Sequence, residues 1–545
     1  MSGNDSNVNI SILTHTQRRL ARLDERTMAL SDFTVSLLLA IGPLTGVLFA
    51  LYTSYTNWLG SPFRKVSYPP GPSPNSSLSK NRQSVASSQP WKAYTEWTKT
   101  FGNIIYLKSY RKDVIILNAI EDAREMLDGR CAFYSDRAKN VMTDLTGWNF
   151  NTQLMPYGQE WRGHRKLYQQ CFRPKASVAY RSIQTQKSRD LLSDLLDSPD
   201  EFRAHCARAS SDVILSILYG DNLSTEVNES FVSLANQATS AYTDGPLPES
   251  NLVNAIPLLR YLPPWFPGAE FHRLALAVKN TTSELLEIPM DFIGKGLLRG
   301  TASPSLLVDL LENCYMQRDF ERIKNVATTT YLAGVNTTTS SVLAFFLAMS
   351  QFPEAQRKAR QEIDKVVGSS RLPDFEDRAS LPYMEALFRE VLRWRPPMPL
   401  NSAHVATEDD IYNGLHIPKG ARIVANIWAM TRNAEKYPDP ESFLPDRFLD
   451  EQGKLNSDDC SLVFGFGRRI CPGRHLASAT VWLIMVSVLA TFIISENTAG
   501  DESLRDADPD AGYADGHVSL PPPFTCTITA RNRNVTDLVR GAAKS

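Results

Sequence analysis

The sequence predicts a mainly α-helical fold with a small β-rich region and an apolar anchor near the N-terminus. Helical patterning dominates residues 121–311, and two long helical stretches follow at 321–350 and 472–494. Apolar runs of strand type are short and occur at 104–107 and 114–117. The sequence therefore predicts a large helical domain with a few strands beside it.

The anchor is predicted because residues 33–63 carry no charged side chain. A helix over residues 33–55 can cross a hydrocarbon layer of ~30 Å. The alternatives are a buried core helix and a cleaved signal peptide, and the long polar prefix at 1–32 argues against cleavage. A Pro/Ser-rich linker is predicted at 56–90, and a globular domain at 91–545.

The composition, with 43% hydrophobic and 21% charged residues, is that of a globular protein. Length alone suggests about three domains of ~150 residues. The net charge of -1 gives no basic excess, so nucleic acid is not an expected partner. None of the seven cysteines forms a Cys-x-x-Cys pair, which argues against a disulfide framework.

The two long helical stretches are uncharged over 325–350 and 476–495, so a membrane-spanning interpretation must be considered. The first stretch contains Asn325, Asn336 and six threonines, which are costly in lipid without partners. The second begins beside a Cys-Pro-Gly turn. Buried central helices of a large domain fit both stretches better.

Residues 464–473, Phe-Gly-Phe-Gly-Arg-Arg-Ile-Cys-Pro-Gly, are the most informative window. Three glycines and a proline let the backbone turn tightly and approach a flat object. The arginines and the helix predicted after Cys471 both favour a thiolate. A lone thiolate suits an axial iron ligand, whereas zinc would need several cysteines or histidines nearby.

This window resembles the haem-binding loop of the cytochrome P450 family, Phe-x-x-Gly-x-Arg-x-Cys-x-Gly. Every fixed position matches, namely Phe464, Gly467, Arg469, Cys471 and Gly473. The resemblance implies haem b as the cofactor, with Cys471 as the axial ligand of the iron. Phe464, Gly467 and Arg469 are then cofactor-binding residues. The alternative is a surface cysteine in a glycine-rich loop.

Two further segments resemble the same family in the same order. A Glu-x-x-Arg pair at Glu390 and Arg393 is followed by Phe-Leu-Pro-Asp-Arg-Phe at 443–448, where Asp446 replaces the usual glutamate. The resemblance implies that Glu390, Arg393 and Arg447 form a buried structural triad. Alone, Glu-x-x-Arg usually marks a solvated helix pair.

Haem propionate contacts are implied at three positions. Trp161 and Arg165 match the family's Trp-x-x-x-Arg helix, and His404 lies where the family often has another contact. Indole N–H and guanidinium groups are suitable donors. The alternatives are a basic surface helix and a structural histidine.

The segment Ala333-Gly334-Val335-Asn336-Thr337 resembles the oxygen-activating helix of the family. Thr337 is then the oxygen-stabilising alcohol, and Asn336 replaces the usual acid. An amide cannot titrate, so Asn336 is interpreted as a fixed relay point in proton delivery. The alternative is a core helix with back-bonded threonines.

The resemblance spans residues 69 to about 524 and implies one large catalytic domain rather than three. It implies a haem-thiolate monooxygenase, most similar to fungal members of secondary metabolism, that oxidises a lipophilic terpenoid or polyketide. NADPH would supply electrons through NADPH–cytochrome P450 reductase. The protein would be single-pass in the endoplasmic reticulum membrane with a cytosolic catalytic domain. The alternatives are a reductase-independent haem-thiolate isomerase or dehydratase, and a non-catalytic haem-binding sensor.

Overall fold

The computed structural model describes residues 66–72, 89–109, 112–221, 223, 225–243, 252–496, 513 and 517–542. The predicted prefix and anchor, and most of the predicted linker, lie outside these residues. The described residues fall into a large unit and a small one, the latter comprising 66–67 and 411–416. In the small unit, the His416 amide donates to the Ser67 carbonyl at 2.8 Å.

Helices dominate the described chain, as the sequence predicts. The α-helices are α1 Pro90–Glu96, α2 Thr98–Phe101, α3 Ile120–Ala123, α4 Val141–Leu145, α5 Gln159–Phe172, α6 Pro174–Ser177, α7 Arg181–Asp197, α8 Phe202–Tyr219, α9 Thr225–Thr243, α10 Leu252–Ala255, α11 Phe271–Arg299, α12 Leu306–Glu312, α13 Gln317–Gln351, α14 Pro353–Val366, α15 Pro382–Trp394, α16 Ile427–Met430, α17 Arg474–Thr491 and α18 Arg533–Ala542. Short 3₁₀ turns include Ser461–Phe464 and Gly467–Arg469.

The strands are few and short. They are β1 Ile104–Ser109, β2 Lys112–Leu117, β3 His404–Val405, β4 Asp410–Tyr412, β5 Leu415–Ile417, β6 Arg422–Ala425, β7 Phe492–Glu496 and β8 Cys526–Ala530. The main sheet has the order β1-β2-β6-β3, in which β2 and β6 are parallel and the other neighbours antiparallel. The predicted strand runs at 104–107 and 114–117 form its first hairpin.

Helix α13 lies at the centre of the large unit. Its C-terminal half packs with α17 in one hydrophobic cluster that includes the fully buried Phe345, Phe346 and Trp482. Its N-terminal half packs against α8, α9 and α11 in a second cluster. The helix ends at Gln351, because Pro353 cannot continue its hydrogen bonding and instead begins α14.

The second long helix is shorter than the sequence suggests. Helix α17 ends at Thr491, and residues 492–496 form β7, which pairs with β8. Phe492, Ile493 and Ile494 continue the apolar run of the helix, so periodicity alone does not mark the change.

Among the described residues, two helices, α13 and α17, are long and apolar enough to cross a membrane. About two thirds of each apolar window, 67%, is buried inside the protein. Both are therefore core helices, and their apolar character is satisfied by protein neighbours.

Candidate functional site

The loop before α17 folds tightly around Cys471. The Cys471 amide donates to the Phe464 carbonyl at 2.8 Å, which closes the loop on itself. Gly467 has a φ of +55°, and a Cβ there would collide with the carbonyl oxygen of Leu127. The Gly467 amide also donates to the carboxylate of Asp128. Only glycine combines this backbone conformation with so close an approach.

The Cys471 thiol is half-buried, and burial raises its pKa. Three groups lower this pKa instead. They are the Gly473 amide, which hydrogen-bonds to the sulfur, and the positive charges of Arg165 and Arg474. Within the described residues, no three His, Cys, Asp or Glu side chains cluster as a metal site. A single sulfur among cationic and amide donors would suit a ligand to an iron that a macrocycle brings with it.

Arg469 points into the protein beside this loop. Its guanidinium donates to the carbonyls of Ser135 at 2.8 Å, Met155 at 2.9 Å and Thr152 at 3.4 Å. Burial lowers its pKa to about 9. All three of these hydrogen bonds go to neutral carbonyls, so the positive charge of Arg469 is not neutralised by them and can serve an anionic partner.

Trp161 and Arg165 of α5 lie at the same loop. The Arg165 Nη1 donates to the Ile470 carbonyl at 2.9 Å. The Trp161 ring is buried, with the Arg469 guanidinium 4.4 Å and the Arg165 guanidinium 5.7 Å from its centroid. The structure therefore brings Trp161, Arg165 and Arg469 together next to Cys471.

His404 lies on β3 and is only 2% exposed. Its Nδ1 is 2.6 Å from the Tyr134 carbonyl, so Nδ1 carries the proton and donates it. Burial, with the charges of Arg137 and Arg469, holds the pKa of this imidazole well below its usual range. His404 is thus a neutral, buried histidine in the electrostatic field of Arg469.

The middle of α13 is more open than the helix segments on either side of it, at 326–329 and 338–349. Ala333 is exposed and residues 334–337 are half-buried, whereas 338–349 are buried. The Thr337 hydroxyl donates to the Ala333 carbonyl at 2.9 Å, a back-bond that weakens a helix locally. A Cβ at Gly334 would lie 2.5 Å from Ile214 Cδ1, so a larger residue here would force the end of that side chain to shift.

Glu390, Arg393 and Arg447 lie together. Arg393 binds the Glu390 carboxylate through two bonds of 2.6 and 2.9 Å, and the Arg447 Nε lies 3.2 Å from the same carboxylate. Glu390 and Arg393 have no exposed surface. The neighbouring Asp446 pairs with Lys358 at the surface, at 3.0 Å, and not with the triad.

Arg137 belongs to this region, although the sequence gives no sign of it. Its buried guanidinium donates to the carbonyls of Gln153 at 2.9 Å, Ser402 at 3.0 Å and Ala403 at 2.7 Å. Arg137 thereby joins the segment before α5 to the segment before β3. It stands in no motif, and only the fold brings its partners to it.

The family model for cytochrome P450 matches residues 69–524 of this chain. Similar proteins include cytochrome P450 monooxygenase 136 of Postia placenta, 36% identical over 86% of this chain and 90% of that protein. Cytochrome P450 monooxygenase ple1 of Rhodocybe pseudopiperita is 35% identical over 91% of this chain and 96% of its own length. A zebrafish cytochrome P450 structure with progesterone has a TM-score of 0.66 at 24% identity, covering 81% of this chain and 100% of its own.

Proposed function

Since the chain belongs to the cytochrome P450 family and is a monooxygenase, we propose that it holds haem b through Cys471 and hydroxylates a lipophilic metabolite. The observation that carries this proposal is the Cys471 loop, where one sulfur faces an amide donor and two arginines. The relatives' shared name as monooxygenases favours this class over a peroxide isomerase and over a haem sensor.

When bound, haem b supplies the reductive activation of O2 and the insertion of one oxygen atom into the substrate. Cys471 would ligate the iron, with Phe464 and Gly467 shaping the loop on which the sulfur lies. Trp161, Arg165 and Arg469 would hold the propionates. His404 donates its Nδ1–H to the Tyr134 carbonyl, so it would contact a propionate only with a second proton on Nε2, which the negative charge of the propionate would favour. These residues suit an anionic group by their chemistry. Trp161, Arg165 and Arg469 bring N–H donors together beside the sulfur, and the main hydrogen bonds of Arg469 go to neutral carbonyls.

Thr337 and Asn336 would handle protons at the open part of α13. Thr337 already donates to the Ala333 carbonyl, so its oxygen retains acceptor capacity. The Asn336 side chain can both donate and accept but cannot change charge. Proton delivery would therefore depend on hydroxyl groups and ordered water and not on a carboxylic acid.

Electrons would come from NADPH through NADPH–cytochrome P450 reductase at the endoplasmic reticulum membrane, with residues 33–55 as a single anchor and the catalytic domain in the cytosol. A second membrane contact is supported by residues 256–267, where Leu258, Tyr261 and Trp265 are 76%, 77% and 80% exposed. Aromatic and aliphatic side chains flanked by prolines suit the bilayer interface. A terpenoid or polyketide of fungal secondary metabolism is the proposed substrate class.

The test is the carbon monoxide spectrum of the reduced protein. Wild-type protein should give the red-shifted Soret band of thiolate-bound haem, and Cys471→Ala should lose that band. Cys314→Ala is the matched control, because Cys314 lies far along the chain from the loop and is half-exposed. A mutant at position 471 that keeps the band would overturn the assignment.

A further inference from the structure

A π-helical segment lies directly against the loop that carries Cys471. Residues Arg124–Gly129 continue helix α3 in wider turns, so that the Arg130 amide donates to the Glu125 carbonyl, five residues earlier, at 2.9 Å. Such π-turns inserted in helices are rare and occur frequently at functional sites. The contacts of Arg124–Gly129, which we call the π segment, indicate what it does.

The π segment holds the backbone of the loop at Gly467. The carboxylate of Asp128 accepts a hydrogen bond from the Gly467 amide. The Leu127 carbonyl lies where a Cβ of residue 467 would be, so the two backbones are in direct contact. A hydrogen bond to a charged acceptor is roughly twice as strong as one between neutral groups. The Asp128 carboxylate therefore ties the loop to the π segment more firmly than a neutral acceptor would.

From Gly467 the hydrogen bonding continues to the residue beside the sulfur ligand. The Gly467 carbonyl accepts a hydrogen bond from the Ile470 amide at 3.2 Å. The Ile470 carbonyl, which belongs to the peptide bond before Cys471, accepts one from the Arg165 Nη1 at 2.9 Å. The backbone at Cys471 is thus held from two sides, by Asp128 through Gly467 and by Arg165 of α5.

The π segment is itself anchored at its C-terminal end. The Arg130 Nη1 donates to both carboxylate oxygens of Asp410, at 3.1 and 2.9 Å. The hydroxyl of the fully buried Tyr134 donates to the same carboxylate at 2.7 Å. The segment that presents Asp128 is therefore fixed by contacts outside the Cys471 loop.

Asp128 acts locally and not as part of a surface ion pair. Its side chain is exposed, and no Lys, Arg or His of the described residues forms an ion pair with it. Surface ion pairs contribute little to stability, and here even that contribution is missing. The effect of Asp128 is therefore confined to the Gly467 amide and to what that amide holds.

We propose that Asp128 is a positioning residue for the Cys471 thiolate. By accepting the Gly467 N–H, its carboxylate holds the loop in the conformation from which the sulfur binds the iron, and so slows the loss of that ligand. Asp128 acts through Gly467 and Ile470, which connect it to Cys471 by hydrogen bonds. This inference rests on the proposed function, since it adds to the Cys471 site a residue from outside the loop motif.

The test measures how long the thiolate remains bound. The full-length, haem-loaded protein is reduced and given carbon monoxide, and the decay of the red-shifted Soret band is followed at a fixed temperature. In Asp128→Ala the band should decay about tenfold faster than in wild type, the effect of one hydrogen bond to a charged group. In Asp128→Asn, which keeps an acceptor oxygen without the charge, the decay should be about threefold faster.

Glu125→Ala is the matched control, because it removes an acid of the same π segment whose contact is an ion pair with Arg130 at 3.2 Å. Its decay rate should equal that of wild type. Hydrogen exchange of peptides covering 464–473 is a second measurement. It should be faster in Asp128→Ala, while the helix content from circular dichroism is unchanged.

A wild-type protein without the band would remove the proposed function, and this inference with it. If wild type shows the band, equal decay rates in wild type and Asp128→Ala, or equally fast decay in Glu125→Ala and Asp128→Ala, would overturn this inference alone. Where Asp128→Ala does not accumulate as folded protein, a wild-type decay rate in Asp128→Asn would overturn it.

Discussion

Glu390 and Arg393 form a doubly hydrogen-bonded ion pair in which neither side chain has any exposed surface. Arg393 also donates to the carbonyls of Thr431 at 3.0 Å and Pro440 at 2.8 Å. The Leu444 amide donates to the Glu390 carboxylate at 2.7 Å. The pair therefore fixes the segment at 431–444 against α15, as well as satisfying its own two charges.

Glu390→Gln should destabilise the protein by about 3–5 kcal/mol, because the Arg393 charge would remain buried without its counterion. The measurement is the free energy of unfolding from a urea titration. The control is Asp446→Asn, which removes a surface ion pair with Lys358 and should cost under about 1 kcal/mol. If the two variants lost equal free energy of unfolding, the buried triad would contribute no more to stability than a surface ion pair does.

Thr337→Ala should reduce the coupling of NADPH consumption to product and raise hydrogen peroxide release. The hydroxyl that the mutation removes makes only a local back-bond, so the fold should be retained. The measurement is peroxide and product formed per NADPH in a reconstituted system with reductase. Thr337→Ser is the matched control, because it keeps the hydroxyl. Unchanged coupling in Thr337→Ala would remove Thr337 from the mechanism.

Gly467→Ala should prevent haem incorporation, because the added Cβ meets the Leu127 carbonyl and the positive φ disfavours any other residue. The measurement is haem content per purified chain. Gly294→Ala in α11 is the control. Nothing lies within 4 Å of its added Cβ, so this substitution should leave the haem content unchanged and the stability unchanged or slightly higher. Normal haem content in Gly467→Ala would contradict the close approach seen in the structure.

His164 should make stability fall as the pH is lowered. This fully buried imidazole lies 2.8 Å from the Thr152 hydroxyl, and desolvation lowers its pKa to about 4. The unfolded chain, with a pKa near 6.5, then binds the proton more tightly than the folded protein does. The contribution of His164 to the free energy of unfolding is fully present above about pH 6.5. It is lost as the pH falls towards 4, and the total loss is roughly 3 kcal/mol.

The check is the pH dependence of the free energy of unfolding. His164→Gln should flatten the part of the curve between about pH 6.5 and 4, whereas Thr152→Val keeps the titrating ring and should keep the slope. Identical curves for wild type and His164→Gln would show that His164 does not titrate in this range.

Trp265 should contact lipid. In vesicles of brominated phosphatidylcholine, lipid quenching of tryptophan fluorescence should be clearly smaller for Trp265→Phe than for wild type, because this ring is 80% exposed beside other apolar side chains. Trp97→Phe, at a position only 9% exposed, should leave the quenched fraction unchanged. The same quenched fraction in all three proteins would count against a membrane contact at 256–267.

The sequence predicts those parts of the structure that depend on a periodic pattern or on residues close together along the chain. Helix α13 and the first hairpin are recognisable from periodicity, and the loop at 464–473 from its glycines. The end of α17 is not, because Ile493 and Ile494 continue an apolar run that suits a helix or a strand equally well. Proximity of Arg447 to Glu390 follows from family resemblance and not from spacing.

The contacts among Arg137, Gln153, Ser402 and His517 were beyond prediction for a physical reason. Arg137 is 265 residues from Ser402, and Gln153 is 364 residues from His517. Single glutamines, serines and histidines are common and stand in no motif, so no local pattern sets these apart. Their significance depends on which backbone segments the helical core brings side by side.

Strand β2 pairs in parallel with β6, so that residues 114–117 lie beside 422–425. A ribosome adding ~5–20 residues per second needs roughly 15–60 s between these two segments. For that interval the nascent chain carries an apolar hairpin whose inner edge has not yet met its partner. During that interval the edge is a template on which other chains can pair, and a chain terminated before residue 422 would keep it unpaired.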